Sequence, residues 1–200
     1  KLVISDDKIE IFDANGRAVK DAAAFSPKET FRLDSLSEKV KFAFVDTEDK
    51  RFYDHDGFDY KRIVKATWKN LKSRSFKEGA STISQQLIKN THLSQEKTIK
   101  RKLKEFKLTR QLEKRYTKDE ILEKYLNTIY FGHNCFGLSS AAEFYFGKEP
   151  SELRLAEAAV LAGLIKSPNN YSPFKHPENC LGRKKTVLSA MLAQGHITEE

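Results

Sequence analysis

The spacing of apolar residues is the feature that most restricts how this chain of 200 residues can fold. From Ser37 onward, apolar side chains recur every three or four positions, which is the repeat of one face of an α-helix. The pattern predicts helices that begin near Ser37, Tyr60, Ser81, Lys97, Thr117, Ser151 and Pro177. The sequence therefore predicts a mainly α domain over residues 36–200.

Two segments lack this helical repeat. Residues 8–13 alternate between polar and apolar side chains like a β-strand, and residues 13–16 are typical of a turn. Residues 1–35 are therefore assigned to a short extended lead that precedes the helical domain. Residues 73–80 show no periodicity, and we expect a mobile loop there.

The chain is basic, with 36 Lys and Arg residues against 28 Asp and Glu and a net charge of +8. Such a surplus favours an anionic partner, namely nucleic acid, acidic lipid headgroups or a phosphorylated substrate. No apolar run reaches the roughly 18 residues of a membrane-spanning helix, so we expect a chain that is soluble or lacks its anchor. Cys135 and Cys180 are expected to be unpaired packing residues.

The adjacent acids Glu48 and Asp49 follow an apolar helical stretch and precede a turn that ends at Gly57. A carboxylate partly buried beside Phe44 and Phe52 would be a better base than one in water, because burial disfavours its charge. The alternative is a solvated acidic helix end, and the spacing alone favours that alternative.

Residues with hydroxyl side chains lie at the start of the helix that is predicted near Ser81. Backbone N–H groups at such a helix start can bind an anion. Side-chain donors follow within two turns, at Gln85, Gln86, Lys89 and Asn90. The segment suits a phosphate or a sugar, and an ordinary capped helix is the alternative.

The helix predicted over residues 97–118 carries ten basic residues. Lys97, Arg101 and Glu105 are spaced four residues apart and share one face, and Lys102 lies three residues before Glu105. Cations beside an acid can bind a diphosphate while they keep the carboxylate ionised or place it near a metal ion. A solvated face with ion pairs is the alternative.

The apolar residues of the same helix are predicted to form a buried stripe. These residues are Ile99, Leu103, Phe106, Leu108, Leu112 and Tyr116. With both aromatic rings expected in the core, no aromatic platform for stacking nucleic-acid bases is evident.

Five blocks of sequence occur in a fixed order. They are EDKRFYDHDG at 48–57, GASTISQQ at 79–86, RKLKE at 101–105, ILEKYLNTIYFG at 121–132, and AAVLAGL at 158–164 with Pro168 and Asn169 behind it. The ordered set resembles the peptidoglycan glycosyltransferase domain of family 51, found in class A penicillin-binding proteins and monofunctional transglycosylases. The resemblance covers nearly the whole chain.

The resemblance implies a lysozyme-like, mostly helical glycosyltransferase fold with a small mobile lobe near the membrane. It implies the polymerisation of lipid II, in which the 4-hydroxyl of the acceptor GlcNAc attacks the donor glycan with inversion and release of undecaprenyl diphosphate. By position, Glu48 corresponds to the general base. Glu105 corresponds to a second acid that assists the departing diphosphate directly or through a divalent cation.

The resemblance also implies the substrate contacts. Cations around the diphosphate are expected at Lys89, Lys97, Arg101 and Lys102. Donor-site contacts are expected at Ser81, Thr82, Gln85, Gln86 and Asn90, and further substrate contacts at Asp49, Phe52, Glu123 and Asn127. A diphosphate leaving group is already a stable anion, so it needs positive charge more than a strong proton donor.

The implied partners are lipid II, the growing glycan on undecaprenyl diphosphate, the membrane surface and moenomycin-type inhibitors, with no nucleic acid. Mg²⁺ or Mn²⁺ at Glu105 is the one cofactor considered, and no organic cofactor is expected. The implied location is the extracytoplasmic face of the bacterial cell membrane, with the anchor absent from this segment. Trp68 and Phe76 are expected to dip into the bilayer.

Two other functions stay open at this point. A lysozyme-like hydrolase or lytic enzyme would explain Glu48 and the fold, but it would not need four cations around a lipid diphosphate. A non-catalytic basic helical module would bind nucleic acid with a steep dependence on salt.

Overall fold

The structure, a computed structural model, describes residues 2–4, 9–11, 30–73, 80–92 and 98–199. Its helices are α1 (Glu38–Glu48), α2 (Tyr60–Ser73), α3 (Ile83–His92), α4 (Ile99–Arg115), α5 (Lys118–Leu126), α6 (Leu138–Phe146), α7 (Leu155–Ile165) and α8 (Pro177–Ala193). Strands β1 (Leu2–Ile4) and β2 (Ile9–Ile11) pair antiparallel, with Leu2 opposite Ile11. The mainly α prediction is confirmed.

Parts of the predicted organisation lie outside the described residues. They include the turn at 13–16, most of the lead and most of the loop at 73–80, together with Phe76 and Lys97. The boundary between lead and domain at residue 35 therefore stays a prediction. No helix of the described ranges is both long and apolar enough to cross a bilayer.

Helix α6 was not predicted from the sequence. Its residues are buried on nearly every side, including Leu138, Ser140, Ala142 and Phe146. A helix surrounded by protein needs no polar face, so it lacks the periodic contrast by which amphipathic helices are recognised. The helix predicted from about Ser151 begins four residues later, behind a single 3₁₀ turn at Pro150–Glu152.

The chain forms two compact units, residues 1–50 with 126–200 and residues 51–125. In the first unit, α1, α7 and α8 pack on one another. Helix α7 is buried from Ala158 to Leu164, where small residues allow its neighbours to approach closely. Phe44 of α1 is fully buried and meets the ring of Phe131 edge to face. These contacts form the core of the first unit.

The second unit has α3 packed against α4. The predicted buried stripe of α4 is wrong for three of its members: Ile99 is 82%, Leu103 68% and Phe106 41% exposed. The buried face of α4 instead carries Glu105, Thr109 and Leu112. On that face the Gln85 amide of α3 donates to Glu105 of α4. The first three apolar residues of the predicted stripe, Ile99, Leu103 and Phe106, stay exposed.

Both cysteines are buried and unpaired, as expected. Burial raises the pKa of the Cys135 thiol to about 12 and that of Cys180 to about 12. Thiols held protonated in this way are poor nucleophiles, so both residues are packing residues.

We expect Gly137→Ala to be strongly destabilising. Gly137 has φ +84, and a Cβ there would lie 2.6 Å from the carbonyl oxygen of Asn127. Because backbone cannot move aside easily, the free energy of unfolding should fall by on the order of 3 kcal/mol. The matched control is Gly195→Ala, where φ is +77 but no described atom lies within 4 Å. Urea unfolding should show a loss of only about 1 kcal/mol for the control; equal losses would contradict the steric explanation.

Candidate active site

The first acidic block lies where α1 ends. Ser37 accepts a hydrogen bond from the backbone N–H of Val40 and so begins the helix. The helix ends because Asp49 leaves helical geometry (φ −156, ψ 71) while its N–H still donates to the carbonyl of Val45 at 2.8 Å. Glu48 is half-buried, whereas Asp49 is completely buried. Of the two adjacent acids, Glu48 keeps partial solvent exposure and Asp49 does not, and the predicted contact of Asp49 with a substrate stays a prediction.

Asp46, two residues before Glu48, is a buried acid that the sequence reasoning missed. Its Oδ2 lies 2.7 Å from Nδ1 of His196, whose ring stacks on Phe42. Burial raises the pKa of Asp46, and the hydrogen bond with His196 opposes that rise. The contact fastens the last turn of α1 to the segment behind α8. The two residues are 150 positions apart, so no local pattern could have revealed the pair.

In the second unit, Glu105 is 2% exposed and surrounded by donors. Its carboxylate accepts hydrogen bonds from Gln85 Nε2 at 3.2 Å and from Arg101 Nη1 at 3.0 Å, and it also pairs with Lys102 Nζ. The structure thus brings four predicted site residues together. Two cations and an amide hold the carboxylate in one orientation, which a substrate-binding group needs.

One donor of Arg101 has no partner within the part of the chain that the structure describes. Its Nε is buried and has no hydrogen-bond partner among the described residues. A guanidinium presents several donors in a fixed fork that matches phosphate oxygens. Arg101 thus holds Glu105 through Nη1, and its guanidinium has further N–H groups that an anion could contact.

The start of α3 is built by Thr82 and Gln85. The N–H of Thr82 donates to Gln85 Oε1 at 3.1 Å, and the N–H of Gln85 donates to Thr82 Oγ1 at 3.2 Å. The Thr82 hydroxyl also donates to the carbonyl of Gly57 at 2.7 Å. One end of the Gln85 amide thus caps the helix while the other reaches Glu105. This reciprocal cap fixes Gln85 for its contact with the carboxylate.

The remaining predicted contacts, in or just before α3 and in α5, differ in how exposed they are. Ser81, Lys89 and Asn90 are exposed, and so their side chains are accessible to a ligand. Gln86 accepts a hydrogen bond from the hydroxyl of Tyr125 at 3.0 Å, and Glu123 is half-buried.

Phe52 and Asn127 are also predicted substrate contacts, and in the structure both contact other parts of the protein. Phe52 is fully buried, with Lys118 Nζ 4.6 Å from its ring centre. The amide of Asn127 binds the backbone of Phe31 twice, accepting from its N–H at 3.1 Å and donating to its carbonyl at 3.0 Å. Both side chains support the fold in this structure, and their contacts with a substrate stay a prediction.

A cavity of about 530 Å³ lies in the second unit beside the acidic turn. Asp59 in its wall pairs with Arg51. Burial alone would raise the pKa of Asp59, but the hydrogen bonds from the Arg62 N–H and from Arg51 hold it below its usual value. The wall is formed by Arg51, Asp54, His55, Asp56, Phe58, Asp59, Tyr60, Lys61 and Arg110. None of these is a predicted substrate contact.

The residues around Glu105 do not fit a resident metal ion. Its neighbours are N–H donors, whereas Mg²⁺ and Mn²⁺ are bound by oxygen ligands. The described residues contain no cluster of three or more His, Cys, Asp or Glu side chains suited to a metal. The donor set fits an anion better than a cation, and the metal at Glu105 stays a prediction.

Comparison with known proteins decides the family. Residues 15–192 match the family model described as Transglycosylase. The chain belongs to the transglycosylase family. It is 46% identical to penicillin-binding protein 1A/1B of Bacillus subtilis over 191 residues, and this alignment covers 94% of this chain and 21% of that protein. It is 42% identical to penicillin-binding protein 1A of Escherichia coli, and this alignment covers 96% of this chain and 22% of that protein.

A solved structure shares the fold of this transglycosylase. The crystal structure of penicillin-binding protein 1A from Haemophilus influenzae matches with a TM-score of 0.50 and 23% identity, over 95% of this chain and 19% of that chain. The chain thus spans about a fifth of the length of these relatives. The expected glycosyltransferase domain of family 51 is confirmed. The comparisons support neither a hydrolase nor a nucleic-acid-binding module.

Proposed function

We propose that this transglycosylase polymerises lipid II into β-1,4-linked glycan strands, with the growing glycan on undecaprenyl diphosphate as the donor. The observation that carries the proposal is the buried Glu105, with Gln85, Arg101 and Lys102 gathered on it. The positive charges of Arg101 and of the exposed Lys89 add capacity to bind the diphosphate. A site rich in fixed cations stabilises the negative charge that a departing diphosphate acquires.

Glu48 is proposed as the general base. It takes the proton of the acceptor 4-hydroxyl while that oxygen forms a bond to C1 of the donor sugar, and the bond between C1 and the diphosphate oxygen breaks. Attack from the face opposite the leaving group inverts the configuration at C1. A sugar hydroxyl is a poor nucleophile, so this step needs a base, whereas the diphosphate leaves as a stable anion.

A gel assay with fluorescent lipid II tests the proposal. The chain should convert lipid II into a ladder of longer glycans that a muramidase digests. A hydrolase would instead shorten preformed glycan and leave lipid II unpolymerised. A nucleic-acid-binding module would bind oligonucleotides with a steep salt dependence and give no ladder. Either result would contradict the proposal.

The membrane surface is the second proposed partner. Exposed apolar residues recur along two helices, at Tyr60, Val64 and Trp68 of α2 and at Ile99, Leu103 and Phe106 of α4, and we call this set the exposed apolar stripe. Phe58 joins the two helices, since its ring stacks on Phe106 and contacts Tyr60. Exposed lysines flank the stripe at positions 61, 65, 100 and 104. Apolar rings among lysines favour the surface of an anionic bilayer.

We expect tryptophan fluorescence to report this docking, because Trp68 is the chain's single tryptophan and is 69% exposed. Vesicles that contain anionic lipid and brominated acyl chains should quench it. Val64→Glu should weaken the quenching, since a carboxylate would enter the stripe, while Glu149→Gln in the other unit should leave it unchanged. Fluorescence that brominated vesicles do not alter would refute the docking of this stripe.

The location and the inhibitor follow from the same proposal. An enzyme that uses a lipid-linked precursor of the cell wall would act at the extracytoplasmic face of the bacterial cell membrane. Moenomycin-type inhibitors would occupy the cationic site of Arg101 and Lys102 in competition with the donor.

A further inference from the structure

Glu113 is a buried carboxylate of α4 that has no task in the proposed reaction. Its side chain is only 7% exposed. The hydroxyl of Ser84 donates to its Oε1, and Lys118 Nζ donates to the same oxygen at 2.9 Å. Glu113 lies outside all five family blocks, yet its partner Ser84 lies within the second of them.

The contacts of Glu113 complement those of Glu105. Ser84 and Gln85 are consecutive residues of α3, and each donates to a different carboxylate of α4. The two carboxylates are eight residues apart, about two helical turns. Helix α3 is therefore fastened to α4 at two separated points. Sliding or rotating α3 would break at least one of the two contacts.

The acidic turn is fastened at the same place. A Cβ on Gly57 would lie 2.9 Å from Cγ of Glu113, so the turn packs directly against this side chain. The carbonyl of Gly57 accepts a hydrogen bond from Thr82 at the start of α3. Lys118, which pairs with Glu113, also lies over the ring of Phe52. Glu113 thus adjoins the turn, the start of α3 and the start of α5.

We propose that Glu113 is a positioning residue that holds α3 where its polar side chains bind the lipid diphosphate. The inference rests on the proposed function. The partners Arg101 and Lys102 of Glu105 lie on α4 itself and do not depend on α3. Loss of Glu113 should therefore weaken substrate binding more than the chemical step.

Glu113→Gln tests the inference by steady-state kinetics with fluorescent lipid II. The substitution replaces a charged acceptor with a neutral amide, so it weakens the hydrogen bond from Ser84 of α3 and removes the ion pair with Lys118. We expect KM for lipid II to rise about tenfold while kcat stays within about threefold. Ser84→Ala, which removes the α3 side of the contact and keeps the ion pair, should raise KM in the same direction.

Glu157→Gln is the matched control. Glu157 pairs with Lys148 in the other unit, with side-chain exposures of 12% and 24% against 7% and 19% for Glu113 and Lys118. The Glu157→Gln substitution removes a similar ion pair at a place away from α3, so the KM of this variant for lipid II should match that of the wild type. Equal KM values for Glu113→Gln and Glu157→Gln would overturn the positioning role.

Hydrogen exchange separates this inference from the proposed function. Amides of α3 should exchange faster in Glu113→Gln than in the wild type, while those of α7 stay unchanged. This readout needs no turnover. If the wild type failed to polymerise lipid II, the proposed function would fail, and unchanged exchange in α3 would separately overturn the role of Glu113 in holding that helix.

Discussion

Glu48→Gln should reduce the rate of lipid II polymerisation by on the order of 10³-fold, because an amide cannot take the proton of the acceptor hydroxyl. The substitution keeps the shape of a half-buried side chain at the end of α1. The unfolding temperature and the affinity for lipid II should therefore match those of the wild type. The gel assay measures the rate, and calorimetry measures stability.

Glu38→Gln is the control for this prediction. Glu38 lies in the first turn of the same helix, is exposed and pairs with Lys41 at 2.6 Å. Exposed ion pairs contribute little, so this variant should polymerise lipid II like the wild type. Full turnover by Glu48→Gln would show that another group removes the proton.

Glu105→Gln should lower kcat by about 10²-fold and also lower stability. The carboxylate holds Arg101 and Lys102, and an amide of the same shape leaves both cations without their anionic partner. Breaking a buried pair is costly, but both cations reach solvent, so the loss in unfolding free energy should be about 1–2 kcal/mol. Single-turnover kinetics and urea unfolding measure the two effects separately.

The Glu157→Gln variant also serves as the control for Glu105. It should lose a comparable amount of stability without any loss of kcat, since neither Glu157 nor its partner Lys148 is a proposed catalytic residue or substrate contact. If Glu105→Gln lost stability but kept the wild-type kcat, Glu105 would hold the fold and take no part in the reaction.

Helices with one apolar and one polar face could be predicted from the sequence, and α1, α3, α5 and α8 lie where the periodicity puts them. Helix α6 could not, because it is buried on nearly every side and shows no contrast between faces.

Periodicity identifies an apolar face but does not reveal what covers it. In α4 the face that packs is the one with Glu105, where Gln85 donates to the carboxylate, while Ile99, Leu103 and Phe106 stay exposed. Spacing on one helix did place Arg101 and Lys102 beside Glu105. Contacts between distant segments, such as Asp46 with His196 and Ser84 with Glu113, depend on the folded chain and leave no local pattern.

The two inert thiols make this domain convenient to label. Cys135 and Cys180 are buried and stay protonated at neutral pH, so we expect that maleimide reagents will not react with either thiol. A cysteine introduced at an exposed position such as Lys104 would then be the one reactive thiol, with no need to remove the native pair. A fluorophore attached there would report directly on whether α4 meets a lipid vesicle.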